Sequence, residues 1–295
     1  MKVRMWGVRG SIPSPGKHTQ EFGGNTTCIE VRTDEGQLII LDAGTGIFPL
    51  AQSLLSSLPI DVSLFITHTH WDHIQGLPFF TPIFIPGNRL TIYGAQDIVS
   101  GQGIEQAMDT QMQYSYFPVR EAELKAALDY RTVNTGEPIT VGDATVTGTI
   151  LNHPVINLGY RIDCNGKSVF FTGDHEPYSN IYSPSEDGYV EYQRVVNERQ
   201  NQVDTAMRNV DVLVADCSYT ADEFGDKIGW GHGSFDHSIE MADRVGAKTL
   251  ICTHHEPTRS DEKLKEVFSE ALARHPRTEG SAEILLAYEG LEVEF

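Results

Sequence analysis

The sequence has 295 residues, of which 40% are hydrophobic and 21% are charged, and this composition is typical of a folded globular enzyme and not of a disordered chain. Its 41 acidic and 22 basic residues give a formal net charge of −19, which argues against affinity that rests on neutralising nucleic-acid phosphates. No apolar run of signal-peptide or membrane-spanning length is visible, so we expect a cytoplasmic protein without membrane contact.

In chain order, short runs rich in β-branched residues and bounded by Gly, Asn or Asp predict the strands. They lie at residues 3–8, 27–32, 38–42, 62–67, 90–93, 144–152, 159–163, 168–172, 212–216, 249–253 and 283–288. The Asn165-Gly166 pair between two of these runs predicts a hairpin.

Helical patterns are fewer and come mainly in the second half. We predict a short helix at residues 120–128 and longer ones at 189–209 and 234–245, the last ending at Gly246. A fourth helix follows Ser260, whose side chain can cap it. No Pro-rich or Gly/Ser-rich linker divides the chain, so residues 1–295 predict a single α/β domain of two packed sheets covered by helices.

Four metal-capable side chains crowd into six positions directly after the strand-like run "VSLFIT". The segment "HTHWDH" contains His68, His70, Asp72 and His73. Imidazole nitrogens and a carboxylate suit Zn²⁺, and also Mn²⁺ or Fe. This density is hard to explain by surface or core packing, and it predicts a metal site.

His-x-His-x-Asp-His after a hydrophobic strand resembles the signature of the metallo-β-lactamase superfamily. The resemblance continues in order along the chain with His153 in "LNHPV", Asp174 in "FTGDHEP" and His254 in "CTHHEP". It implies an αββα four-layer sandwich with a two-metal site at one edge of the sheets.

The resemblance also implies how two divalent ions, most simply Zn²⁺, would be held. His68, His70 and His153 would bind one ion, and Asp72, His73 and His254 the other, with Asp174 between them. Asp42 in "LDAGTG" resembles an aspartate that orients ligand histidines without binding metal. Of the pair His254 and His255, strand alternation lets only one face the site, and the strand-end pattern favours His254.

Two metals about 3.5–4 Å apart activate water and clamp an ester, so hydrolysis is the expected reaction. Asp216 and His232 fall where the tRNase Z and PhnP-like phosphodiesterase branch carries an acid–histidine pair, although this chain has Asp in place of Glu and Gly233-Ser234 in place of Ser-Thr. The resemblance therefore implies a phosphodiesterase in which Asp72 orients and deprotonates the attacking water, while His232, poised by Asp216, protonates the leaving oxygen.

The same ligands also serve lactone and thioester hydrolases, so acyl hydrolysis is the alternative function. A non-catalytic metal-binding protein is the third. Between His153 and Asp174 there is no room for the tRNA-gripping arm of tRNase Z. Together with the net charge, this predicts a small or cyclic phosphodiester as substrate and argues against tRNA or duplex nucleic acid. Relatives in the branch suggest a homodimer.

The chain has extra length in two inserts, at about 95–131 and 175–209. In the first insert, Tyr114, Tyr116 and Phe117 could stack a base.

Overall fold

The computed structural model describes residues 1–97 and 99–295, so Ile98 in the first predicted insert lies outside the described residues. The strands of the described chain are β1 (Lys2–Gly7), β2 (Cys28–Arg32), β3 (Leu38–Leu41), β4 (Asp61–Phe65), β5 (Arg89–Gly94), β6 (Ala127–Thr132), β7 (Pro138–Val141), β8 (Ala144–Leu151), β9 (Asn157–Cys164), β10 (Lys167–Phe171), β11 (Val212–Asp216), β12 (Thr249–Thr253), β13 (Glu283–Leu286) and β14 (Glu292–Glu294). Its helices are α1 (Ile47–Leu54), α2 (Trp71–Ile74), α3 (Ile104–Gln111), α4 (Tyr189–Met207), α5 (Ala221–Phe224), α6 (Phe235–Val245) and α7 (Asp261–Arg274).

The strands form two seven-stranded mixed sheets. Sheet 1 has the order β14-β1-β2-β3-β4-β5-β6, and sheet 2 has the order β13-β12-β11-β10-β9-β8-β7. In each sheet, antiparallel pairs at one end give way to parallel pairs at the other, as for β3–β4 in sheet 1 and β10–β11 in sheet 2. Parallel strands end at the same edge, which brings the loops after β4, β10, β11 and β12 within reach of one another.

Alternating side chains on the central strands explain the four layers. In β3, Ile39 and Leu41 belong to the apolar core between the sheets, whereas Ile40 packs outward under α1 and α3. In β10, Val169 and Phe171 face the same inner core, and Phe170 faces the layer of α4, α6 and α7. Strands buried on both faces read as continuous hydrophobic runs, which is why the sequence predicted them well. The αββα sandwich is confirmed.

Tyr160 ties the two sheets together inside the core. Its ring is fully buried, and its hydroxyl donates to the carbonyl oxygen of Ile66 at 2.7 Å. Ile66 follows β4 of sheet 1, whereas Tyr160 belongs to β9 of sheet 2. The bond therefore fixes the start of the loop that carries the metal-capable cluster.

The predicted helix at residues 120–128 is wrong. The chain there makes a 3₁₀ turn at Glu121–Glu123 and then enters β6, which pairs with β5 in parallel. The backbone N–H of Ala126 donates to the carbonyl of Ile83, and that of Ala127 to the carbonyl of Asn88. Edge-strand pairing has overridden the helical preference of an Ala- and Leu-containing segment.

The predicted hairpin at Asn165-Gly166 is present in the structure. The Asn165-Gly166 hairpin joins β9 to β10, with both residues at positive φ. Within the described residues, no helix is long and apolar enough to cross a membrane. The single domain over residues 1–295, with inserts at about 95–131 and 175–209, stays a prediction.

Candidate metal centre

The metal-capable residues of the first motif lie just beyond β4. The strand ends at Phe65, so His68 and His70 stand in the following loop instead of on the strand. Asp72 and His73 lie on the single-turn helix α2, which turns them toward a second point nearby. The rings of His68 and His73 are 4.2 Å apart between centroids, so the two halves of the motif are neighbours.

The other predicted residues reach the same place from sheet 2. They come from the loops that follow three of its strands: His153 after β8, Asp174 after β10 and His254 after β12. His254 takes φ +59°, a left-handed conformation that is costly for a histidine and often found at functional sites. His255 turns away, and its Nε2 bonds the carbonyl of Ala287 at 2.8 Å. The preference for His254 over His255 agrees with this arrangement.

Three overlapping groups of potential ligand atoms lie among the described residues, and all contain Asp174; one of them combines Asp174 with Asp216, His232 and His254, and the other two hold the predicted ligands. Of these two, one contains His68, His70, His153 and Asp174, and the other contains Asp72, His73, Asp174 and His254. Asp174 Oδ2 lies 3.5 Å from His68 Nε2, while Asp174 Oδ1 lies 3.1 Å from His254 Nε2. Each carboxylate oxygen therefore faces a different group.

The spacing of the second group fits a tetrahedral metal site. His73 Nε2 lies 3.3 Å from Asp72 Oδ2 and 3.2 Å from Asp174 Oδ1. His254 Nε2 lies 3.2 Å from Asp72 Oδ2. Tetrahedral zinc with bonds near 2.0 Å keeps its ligand atoms about 3.3 Å apart. In the first group, His153 Nε2 and His70 Nδ1 face each other at 3.2 Å.

Buried atoms without partners point to the same interpretation. Among the described residues, His68 Nε2, His73 Nε2 and Asp174 Oδ1 are buried and make no hydrogen bond. Leaving such polar atoms unsatisfied is costly, and a bound cation would satisfy all three. The residues present therefore fit two divalent cations.

Neighbouring groups set the tautomer of the ligand histidines, so that the other ring nitrogen faces the cluster. His73 Nδ1 bonds Asp42 Oδ2 at 2.7 Å, and Asp42 in turn accepts the Thr67 hydroxyl at 2.8 Å. Thr67 Oγ1 also accepts from His68 Nδ1 at 3.1 Å. Such outer bonds orient ligands and raise their basicity. Asp42 thus bonds a histidine of the second group and belongs to none of the groups of potential ligand atoms.

Two further orienting contacts were not predicted. Ser218 Oγ lies 3.0 Å from His254 Nδ1 and donates to Asp216 Oδ1 at 2.7 Å. The carbonyl of Gly231 accepts from His153 Nδ1 at 2.9 Å. A Cβ at position 231 would lie 2.2 Å from His153 Nδ1, so only glycine allows this approach. Ser218 lies two residues after Asp216 and Gly231 directly precedes His232, but the sequence analysis assigned neither of them a role.

The charges in the cluster are strongly coupled. Burial lowers the pKa of His68, because the apolar surroundings disfavour its cation. Burial acts the same way on His73, but the carboxylates of Asp174, Asp72 and Asp42 outweigh it and raise its pKa well above the usual range. Divalent cations at these positions would offset the negative charge of the same carboxylates.

Asp216 and His232 form the predicted pair beside the cluster. His232 Nδ1 bonds Asp216 Oδ2 at 2.9 Å and lies 3.7 Å from Asp174 Oδ2. Burial lowers the pKa of His232, but Asp216 and Asp174 outweigh it and raise the pKa to about 9. The histidine is partly exposed, so its other ring nitrogen can meet a substrate.

Several other histidine and aromatic residues lie close to the cluster or in the first insert. His175 is buried and accepts the backbone N–H of Asn152 at 3.3 Å, and burial lowers its pKa to about 4. Trp71 is 79% exposed, so it does not pack beneath the metal loop. Tyr114 and Tyr116 are exposed, and Phe117 packs against Phe79.

Comparison with known proteins decides the family. A sequence profile described as the Beta-lactamase superfamily domain matches residues 37–255. The chain belongs to this family. At the level of the family, the predicted resemblance and the expectation of a metal-dependent hydrolase are confirmed.

Members of the β-lactamase superfamily with known names resemble the chain over nearly its whole length. Ribonuclease Z of Methanopyrus kandleri is 24% identical, over 90% of this chain and 92% of the relative. Among solved structures, the metallo-β-lactamase fold protein YhfI from Bacillus subtilis has a TM-score of 0.68 and 20% identity, covering 100% of this chain and 98% of that chain. A diphosphatase of the PhnP family has a TM-score of 0.65 and 21% identity, covering 100% of this chain and 97% of that chain.

These relatives correct the expected partners. The sequence argued against tRNA from the net charge and from the short segment between His153 and Asp174. Ribonuclease Z proteins nevertheless align along most of the chain, so that exclusion is wrong. The physical reason is that net charge averages over the whole surface, whereas substrate binding depends on the field at the site.

Proposed function

We propose that this chain is a phosphodiesterase that works with two divalent cations, most simply Zn²⁺. His68, His70 and His153 would hold one cation, Asp72, His73 and His254 the other, and Asp174 would contribute one oxygen to each. The observation that carries the proposal is that the His232–Asp216 pair stands directly beside these two groups, with His232 Nδ1 3.7 Å from Asp174 Oδ2. Bound cations at such a centre activate water and neutralise charge that develops on the ester.

The protein's own groups handle the protons. Asp72 Oδ2 accepts the backbone N–H of Ser11 at 2.7 Å, which fixes the carboxylate and leaves Oδ1 to orient the attacking water and take its proton. His232 donates from Nε2 to the oxygen that leaves phosphorus, because Nδ1 is engaged by Asp216. Asp216 keeps the imidazole in this orientation and stabilises its charged form. A positioned acid of this kind contributes about 10²–10⁴-fold to the rate.

The test varies the leaving group in a substrate panel. A 2′,3′-cyclic nucleotide must expel an alkoxide, which needs a proton, whereas methyl p-nitrophenyl phosphate expels a phenolate that departs without one. We expect His232→Ala to lower kcat by about 10²–10⁴-fold on the cyclic nucleotide and far less on the p-nitrophenyl ester. Metal content of the variant is measured alongside, and His18→Ala, at an exposed histidine, is the matched control.

The panel also contains a precursor tRNA, a lactone and a thioester. Precursor tRNA belongs there because of the ribonuclease Z relatives, and it separates an RNA substrate from the small or cyclic phosphodiester that the sequence predicted. Lactone or thioester turnover that is indifferent to His232 would contradict the proposal in favour of acyl hydrolysis. Stoichiometric metal without turnover of any substrate would indicate a binding protein.

A further inference from the structure

Glu176 is a buried carboxylate beside the proposed metal centre. It follows Asp174 by two residues and is 4% exposed. Both of its oxygens accept the backbone N–H of Gly229 at 2.9 Å, and Oε2 also accepts the backbone N–H of Gly231 at 2.8 Å. Within the described part of the chain, no Lys or Arg side chain pairs with it. Backbone N–H groups in a turn form a concave site for an anion, and here the anion belongs to the protein itself.

The turn at residues 228–231 depends on this carboxylate. Gly229 and Gly231 both adopt φ +88°, a left-handed conformation that glycine takes readily. The side chains of Ile228 and Trp230 are 57% and 58% exposed, so they attach the turn only weakly to the protein by packing. The hydrogen bonds to Glu176 therefore fix the path of the backbone here.

Two groups of the site are attached to the same turn. The carbonyl of Gly231 accepts from His153 Nδ1 at 2.9 Å, so the turn orients a candidate ligand of the first cation. His232 is the next residue along the chain, and its Nδ1 bonds Asp216. A displacement of the turn would therefore move the acceptor of His153 and the proton donor together.

The backbone around Glu176 is itself bonded to this centre. The N–H of Glu176 donates to the carbonyl of Asn152 at 2.9 Å, directly before His153. The N–H of His175 donates to Asp216 Oδ2 at 3.3 Å, and the same oxygen bonds His232. Glu176 thus connects the turn to a segment whose place is fixed relative to both histidines.

Resting on the proposed function, we propose that Glu176 is a positioning residue. It fixes the turn at residues 228–231 so that His232 meets the departing oxygen and Gly231 orients His153. It acts through these residues and not by contact with the cations or the substrate. A displacement of about 1 Å at a reacting group can cost about 10²-fold in rate, so hydrogen bonds away from the chemistry can decide the proton transfer.

Glu176→Gln tests this role, because it keeps the shape of the side chain and turns one acceptor oxygen into an amide group that faces N–H donors. A 2′,3′-cyclic nucleotide needs a proton on its leaving oxygen and methyl p-nitrophenyl phosphate does not, so the ratio of their kcat values reports on His232. We expect the variant to lower this ratio by about tenfold or more. Glu186→Gln is the matched control, because that exposed carboxylate accepts the Ser183 N–H in a different turn, and it should leave the ratio unchanged.

A double variant distinguishes positioning from a general loosening of the protein. Residues that act through one another have non-additive effects. In the His232→Ala background, Glu176→Gln should therefore lower the ratio no further. An additional loss in that background, or an unchanged ratio in the single variant, would overturn the proposal.

Gly229→Ala disturbs the same turn and leaves the buried carboxylate in place. A Cβ there would meet no atom within 4 Å, but the positive φ strains any residue other than glycine, so the ratio should fall again. Gly280→Ala, at φ +87° with the same open space, is the matched control and should keep the wild-type ratio. Since Gly229 is exposed, this variant also decides the matter if Glu176→Gln does not fold. Equal ratios in the two glycine variants would contradict the proposal.

Nuclear magnetic resonance separates this inference from the proposed function. In zinc-loaded protein with ¹⁵N-labelled histidine, hydrogen exchange of the ring N–H groups is measured directly. Glu176→Gln should speed exchange at His153 Nδ1 by about tenfold or more and leave His73 Nδ1, which bonds Asp42, unchanged. If the wild type cleaves no phosphodiester, the proposed function fails, and the exchange rate still decides whether Glu176 positions the turn. Equal exchange at His153 in wild type and variant would refute it.

Discussion

At the scale of single residues, the candidate centre depends on groups that surround the ligands as much as on the ligands themselves. Asp42 is fully buried and bonds both His73 and Thr67, so it serves two ligand histidines at once. It adopts φ +62°, a region that Asp and Asn tolerate better than most residues. Burial raises the pKa of Asp42, which makes its contact with the His73 imidazole all the more important for keeping it ionised.

Asp42→Asn tests this role without disturbing the backbone. Asparagine tolerates the same left-handed conformation, so the change removes mainly the negative charge that orients His73. We expect metal affinity to fall by about 10–100-fold, as measured by competition with a coloured chelator. Asp61→Asn, at a carboxylate that is 69% exposed, is the matched control and should keep wild-type affinity. Unchanged affinity in Asp42→Asn would refute the orienting role.

At the scale of elements, helix signals in the sequence were reliable where caps accompanied them. Ser234 caps α6 by accepting from the His237 N–H, and Gly246 ends it in a left-handed conformation. Ser260 caps α7 in the same way, accepting from the Lys263 N–H at 3.2 Å. The 120–128 helix had no comparable cap and is absent from the structure. Local capping chemistry therefore carried more information here than helix propensity.

Ser260→Ala should reduce the stability of the protein measurably. Loss of the cap leaves an N–H of the first turn of α7 without its acceptor, and we expect the free energy of unfolding to drop by about 1 kcal/mol. Urea denaturation followed by circular dichroism measures this. Ser269→Ala lies on an exposed position of the same helix, where alanine is the better helix former, and it should be neutral or slightly stabilising. Equal effects of the two changes would speak against the capping contribution.

At the scale of the whole molecule, the proposed centre joins the two sheets. His68, His70, Asp72 and His73 follow a strand of sheet 1, whereas His153, Asp174 and His254 follow strands of sheet 2. Cations bound by both sets would link the sheets at one edge, and Tyr160 links them inside the core. Because the unfolded chain cannot assemble these sites, metal binding would add directly to stability.

Removal of metal should therefore lower the melting temperature. A site filled to about 1,000 times its Kd stabilises the folded state by about 4 kcal/mol, so the shift on adding a chelator should be large. Calorimetry with and without chelator measures Tm, and added Zn²⁺ should restore it. Asp174→Asn, which alters the ligand shared by both groups, should show a much smaller shift. A Tm that is insensitive to chelator in the wild type would contradict the proposed centre.

The sequence by itself determined the central strands, because residues buried on both faces must be continuously hydrophobic. It also pointed to the seven metal-capable side chains, because each follows a predicted strand within a short motif. Only the tertiary structure decided how their neighbours act. Ser218 and Gly231 are ordinary loop residues until folding brings them against His254 and His153.

The same holds for the edge strand β6. β6 forms because β5 offers it a pairing partner, which outweighs the preference of its own residues. Contacts between segments far apart in the chain are set by packing, and no local pattern records them.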